Sequence, residues 1–186
     1  MARSLTIPRM RIAFLAVLVV IVAADVLVGL QSSLDAKLQS QLMQLFPQAT
    51  SFAPKSGDPP HYKAYAGAAG QPGALAGFAF WTTELEPLER GYDGPIKMLV
   101  GMDVKGILTG VIVVEHHEPY GDFSIDRPEF AAQFKGKDVR DPFKLGEDVD
   151  AVSRATITMS SAVRTIRNAS RRVARSLLTP PAATKP

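Results

Sequence analysis

The chain has 186 residues, 46% of them apolar, with 21 Lys and Arg against 18 Asp and Glu and no cysteine. That length suits one domain with an appendage, and the apolar share is enough for a core. The small positive excess is local: Arg3, Arg9 and Arg11 stand at the start, and Arg164, Arg167, Arg171, Arg172 and Arg175 crowd one late segment. This is not the global basic character that marks a nucleic-acid partner. Without cysteine the chain holds no disulfide, thiolate metal site, iron–sulfur cluster or Cys-linked haem.

Ile12 to Leu30 is apolar apart from Asp25. A run of about 20 such residues crosses the hydrocarbon core of a bilayer as a single helix. The arginines before it predict a cytoplasmic N-terminus, with the remainder on the outer, periplasmic face of the inner membrane. The alternative is a cleaved leader with Val22-Ala23-Ala24 as its processing site. Apolar residues resume at once in Val26, Leu27, Val28 and Leu30, which suits a retained anchor. The predicted organisation is a cytoplasmic tip and anchor over 1–31 and a stalk helix with a Pro-rich loop over 32–60. The main domain covers 61–178, and a disordered tail 179–186.

Leu34, Leu38, Leu42 and Leu45 form one stripe on a helix that Pro47 ends. Residues 48–60, rich in Pro, Ser and Gly, read as a loop. His61–Tyr65 and Leu75–Thr83 are candidate strands, joined by a turn-rich link over Gly67–Gly73. Glu84–Gly91 reads as polar loop. Pro95–Asp103 and Gly106–Glu115 are rich in branched residues around Val104-Lys105-Gly106, so they predict an antiparallel hairpin. Asp126–Lys135 predicts a short helix with Pro128 in its first turn. Ser160–Leu178 predicts the last helix, capped by Ser160 or Ser161, with Val163, Ile166, Val173 and Leu177 on one face and the arginines off it. The fold class is α+β: an antiparallel sheet with flanking helices, preceded by a single N-terminal transmembrane helix. Adjacent His116 and His117 point to opposite sides of a strand and cannot chelate one ion without a bend, so no metal is expected. No nucleophile–base–acid order or paired carboxylates mark a catalytic centre.

Asp150-Ala151-Val152-Ser153-Arg154-Ala155-Thr156 carries a resemblance to a known family. It is similar to the pattern Asp-x-x-Ser-Gly-Ala-Thr of the FMN-binding domain of the RnfG, NqrC and NosR type, with Arg154 in place of Gly. Three further stretches resemble the same family. They are Gly91-Tyr92-Asp93-Gly94-Pro95-Ile96 with its following strand, the loop His116-His117-Glu118-Pro119-Tyr120-Gly121, and Gln133-Phe134-Lys135-Gly136-Lys137.

The resemblance implies FMN held by a phosphoester to Thr156, installed by a Mg²⁺-dependent flavin transferase that takes FMN from FAD. It implies electron transfer with other respiratory subunits, and a loop near the flavin that contains Glu118 and Tyr120. The His-His-Glu-Pro version of that loop looks most like the NosR branch, where the domain would serve a regulatory or accessory role in a nitrous-oxide-reduction type system. A domain of this fold that has lost its flavin is a third reading. A loop just before a helix N-terminus places a phosphate well, because free N–H groups and the helix dipole favour an anion there. Ser153 and Thr158 are short hydroxyls able to bond phosphate oxygens, and Ala155 keeps the approach open. Asp150 either holds the loop through backbone N–H groups or helps the transferase bind its metal. Arg154 strains the loop if the position needs positive φ; otherwise it adds a charge-assisted phosphate contact.

Overall fold

The computed structural model describes residues 36–67 and 73–178. Contacts divide the chain into two units, Met1–Ser40 and Gln41–Pro186. The expected membrane span over 12–30 and the tail over 179–186 lie outside the described residues. Among the described residues no helix is long and apolar enough to cross a membrane.

Helix α1 covers residues 36–45 and ends before Pro47, as its leucine stripe predicts. Five strands follow: β1 Ser51–Phe52, β2 Tyr62–Ala66, β3 Ala74–Trp81, β4 Lys97–Asp103 and β5 Leu108–Glu115. Each pairs antiparallel with the next, so the sheet order is β1-β2-β3-β4-β5. The hairpin β4–β5 turns where its sequence predicts. Asp103 Oδ1 accepts the N–H groups of Lys105 and Ile107, both at 2.8 Å, and Gly106 takes φ +87°, where a side chain would be strained. β1 falls in the stretch that reads as loop, and it is held by only two pairs, Ser51 with Tyr65 and Phe52 with Ala64.

Three helices complete the unit: α2 Thr82–Leu85, α3 Pro128–Ala132 and α4 Thr156–Leu177. Pro128 occupies the first turn of α3, where its missing N–H leaves no bond unmade. Thr82 fixes the strand-to-helix corner at the end of β3, because its buried hydroxyl accepts the Met98 N–H at 3.0 Å.

The 22 residues of α4 span about 33 Å at 1.5 Å per residue. Met159, Ala162, Val163, Ile166, Ala169, Val173 and Ala174 are buried at helical spacing, in one core with Phe78, Phe80, Met98, Val100, Met102 and Leu108 of the sheet. Each large side chain withdrawn from water in this way contributes about 1.5–3 kcal/mol. The arginines lie off this face and tie neighbours to it. Arg171 donates to the carbonyls of Val139 and Asp141 at 2.9 and 2.8 Å, and Arg172 donates to the Leu85 carbonyl at 2.9 Å. The helix begins four residues earlier than its serines suggest, because Thr158 and Met159 are already buried on the core side.

The other face of the sheet is paved with glycine. A Cβ on Gly110 would lie 3.2 Å from Leu45, one on Gly101 would lie 3.2 Å from Phe46 Cε2, and one on Gly77 would lie 2.7 Å from Phe46 Cε1 and run into the Met102 carbonyl. Leu42, Leu45, Phe46 and Ala49 are buried against this half of the molecule. Because the Met102 carbonyl belongs to the neighbouring strand and cannot turn aside, Gly77→Ala is expected to destabilise the fold by about 1–3 kcal/mol. Urea titration of the variant against the parent, with unchanged slope and lowered midpoint, is the check.

Candidate functional site

Glu118 lies just past the end of β5 and is only 5% exposed. Its carboxylate accepts the backbone N–H groups of Tyr92 and Asp93, each at 2.9 Å, and the hydroxyl of Thr158 donates to it from the first turn of α4. Three segments distant in sequence meet on this one group. The loop from Gly91 to Gly94 is shaped for it. Gly91 donates to the Gly94 carbonyl at 2.7 Å, Gly94 has φ +117°, and a Cβ on Gly91 would stand 2.8 Å from Glu118 Oε2. His116 holds the backbone of Glu118. Its Nδ1 accepts the Glu118 N–H at 3.0 Å, which leaves the proton on Nε2, and Nε2–H donates to Asp126 at 2.8 Å. Gly121 packs against the same imidazole.

Burial opposes the charge on Glu118, but the bonds from Thr158, Asp93 and Tyr92 outweigh it and hold the carboxyl below its ordinary range. A folded-state value below the unfolded one stabilises the protein fully above the ordinary carboxylate range. That contribution disappears as pH falls through the folded value.

The stretch 133–150 delivers the chain to α4. Gln133 accepts the Asp150 N–H at 2.6 Å. Phe134 packs edge-on against Phe130 and stacks on Phe143. Gly136, at φ +86°, turns the chain back alongside β5, and Lys137 pairs with Asp148 at 3.0 Å. Asp148 in turn accepts the N–H groups of Phe143 and Lys144. A turn from Val152 to Ala155 then closes through a 3.2 Å backbone bond. Arg154, its third residue, has φ +71°, the left-handed value that a type II turn requires and glycine adopts without strain. Of the two readings open for Arg154, the strained one is therefore present.

Thr156 is the first residue of α4, not part of a loop ahead of it. The helix is preceded by Ala155, which offers no side chain to the first N–H groups. Thr156 is exposed while Ala155 is buried. A pocket of about 250 Å³ opens here, lined by Tyr92, Tyr120, Arg154, Ala155, Thr156, Ile157 and Thr158. Tyr92 is 66% and Tyr120 44% exposed, so two aromatic side chains stand at its rim.

The structure therefore brings together Thr156, Arg154, Ala155, Thr158 and Tyr120 of the expected site, and adds Tyr92. Ser153 and Asp150 are exposed in the approach and do not line the pocket. Thr158 is buried with its hydroxyl donated to Glu118, and Glu118 lies behind the wall. A helix N-terminus without a side-chain cap, an exposed hydroxyl on its first residue, one cation and two aromatic rings suit a phosphorylated, ring-bearing cofactor. A second, more apolar cavity of about 360 Å³ lies at residues 44–49, Leu108–Thr109 and Lys135–Gly136, away from these groups.

Residues 91–171 match the family described as FMN-binding domain. That match begins at Gly91, beside the Glu118 clamp, and ends in α4, so it encloses every residue lining the smaller pocket. The segment belongs to the FMN-binding domains of the RnfG and NqrC type. It is 33% identical over 119 residues to a component of the ion-translocating oxidoreductase complex of Haemophilus influenzae, covering 58% of this chain and 56% of that protein. The same component from Erwinia tasmaniensis is 36% identical over 87 residues, 41% of each chain. That of Escherichia coli is 33% identical over 89 residues, 42% of this chain and 43% of the other. The chain thus spans about half the length of the curated relatives it matches.

Glu118→Gln tests the clamp. The amide keeps the shape but turns an N–H₂ toward at least one of three donors, and a buried donor left unpaired costs about 1–3 kcal/mol. The variant is expected to lose that much stability at neutral pH. Glu89, lowered by its bond to Arg164, and Asp148, lowered by N–H bonds and Lys137 against the effect of burial, lose their contributions in the same acid window. The gap between parent and variant should therefore narrow as pH falls below the ordinary carboxylate range, which denaturation midpoints across pH will show.

Proposed function

We propose that this protein is a membrane-anchored electron carrier that holds FMN through a phosphoester to Thr156. It would work on the outer face of the cytoplasmic membrane as one subunit of a larger oxidoreductase assembly. The observation that carries the reading is the exposed Thr156 hydroxyl on the first residue of a long, buried helix, inside a pocket that the family match encloses. The names of the relatives, subunits of an ion-translocating oxidoreductase complex, support the place in an assembly.

FMN supplies the redox chemistry when bound, and the chain binds and orients it. The first N–H groups of α4 face the phosphate position, and Tyr92 and Tyr120 offer aromatic faces to the ring. A hydroxyl is too weak a nucleophile to link itself, so a flavin transferase is the implied partner and FAD the donor. The bond from Thr156 Oγ to the flavin-bearing phosphorus forms as the bond from that phosphorus to AMP breaks. AMP leaves, and the hydroxyl proton passes to a base on the transferase.

Protein purified from its own host should fluoresce under ultraviolet light after denaturation and should gain the mass of one esterified FMN, and Thr156→Ala should lose both. Flavin that survives the substitution moves the anchor to another exposed hydroxyl, Ser153 first, because Thr158 is buried. The anchor is tested separately. N-terminal sequencing of membrane-extracted protein is expected to read through Asp25, whereas a chain that starts at Asp25 would be an exported soluble form.

A further inference from the structure

We propose that Arg154 is the cation that holds the flavin phosphate in this protein, in the place where the family pattern has glycine. The inference rests on the reading of Thr156 as the anchor.

Arg154 lines the same pocket as Thr156, two residues away across the start of α4. Of the side chains that line it, Arg154 alone carries a formal charge. Among the described residues no carboxylate pairs with it, so its guanidinium is available to a ligand.

The electrostatics of the wall call for such a group. A phosphodiester bears one negative charge. The helix N-terminus offers roughly half a positive charge against it. Behind the wall, bonded through the Thr158 hydroxyl, lies the ionised carboxylate of Glu118, which repels an anion in the pocket. The helix end alone leaves this balance unfavourable, and a guanidinium at the mouth restores it with charge-assisted hydrogen bonds. At φ +71° the arginine holds a backbone conformation that glycine would adopt freely.

The test compares the full-length parent with Arg154→Gln, which keeps the stem and the backbone strain but removes the charge, and with Arg154→Lys, which keeps the charge. Each is purified from the native host in flavinylated form, and each is also made in a Thr156→Ala background that carries no flavin. Intact mass establishes the flavin. Melting temperature and the ³¹P resonance of the ester are the readouts. Flavinylated Arg154→Gln is expected to melt roughly 2–4 °C below the flavinylated parent and to shift the ³¹P resonance, with Arg154→Lys between them. The flavin-free forms of parent and Arg154→Gln should melt alike. Equal melting and equal ³¹P resonances of the flavinylated parent and Arg154→Gln would overturn the proposal. So would a loss of the same size in the flavin-free pair, which would make Arg154 a loop residue alone. A parent without flavin on Thr156 is a different failure, visible by mass before any comparison, and removes the anchor reading together with this one.

Discussion

The carboxylate of Glu118 accepts donors from two segments while belonging to a third, and each of the three contributes one wall of the pocket. Tyr92 comes from the loop whose N–H groups bond the carboxylate. Tyr120 follows Glu118 two residues on in the same loop. Arg154 and Thr156 stand at the head of the helix whose Thr158 donates to it. Hydrogen bonds to a sheltered carboxylate contribute about 1.5–3 kcal/mol each. An arrangement with three of them, backed by His116 and Asp126, fixes the relative position of the walls more firmly than the exposed side chains could. The buried charge belongs to the frame, and the groups facing the pocket are left free of it.

The same division runs through the stretch ahead of the helix. Gln133, Phe134, Gly136 and Lys137 all work inward or sideways. They hold the Asp150 backbone, fill the core, reverse the chain and neutralise Asp148. None of the four lines the pocket at Thr156. A short motif that reads as a signature of flavin binding is, in physical terms, a device for delivering residues 150–156 to one place.

That distinction limits what the residues alone disclose. Period-two runs and a Gly-containing turn made β4 and β5 legible, and helical spacing made the core face of α4 legible, because both patterns follow from burial on one side. β1 was not legible, since two residues held only by backbone pairing leave no periodicity. The start of α4 was misplaced because Ser160 and Ser161 resemble caps, whereas burial of Thr158 and Met159 winds the helix a turn earlier. Thr158 looked like a phosphate ligand for the same reason. A hydroxyl near an anchor suits either role, and only the fold brings Glu118 to it from 40 residues away. Arg154 left two readings open, since φ at a single position is set by the turn around it.

Placing the anchor on the first residue of α4, instead of in a loop, changes what the linkage does. The helix is 22 residues long and buried along one face to its end, where Ala174 is still 1% exposed. Its first turn is pinned by Thr158 and by the burial of Ala155 and Met159. Loops open locally at low free energy, while elements tied into a core open only with the whole domain. An ester at Thr156 therefore inherits the rigidity of the core, where one on a mobile tip would sample many positions. For a carrier whose partners must approach the flavin at a fixed distance and orientation, that rigidity is the contribution of the fold. The covalent bond prevents loss of the cofactor, and the buried helix prevents its wandering.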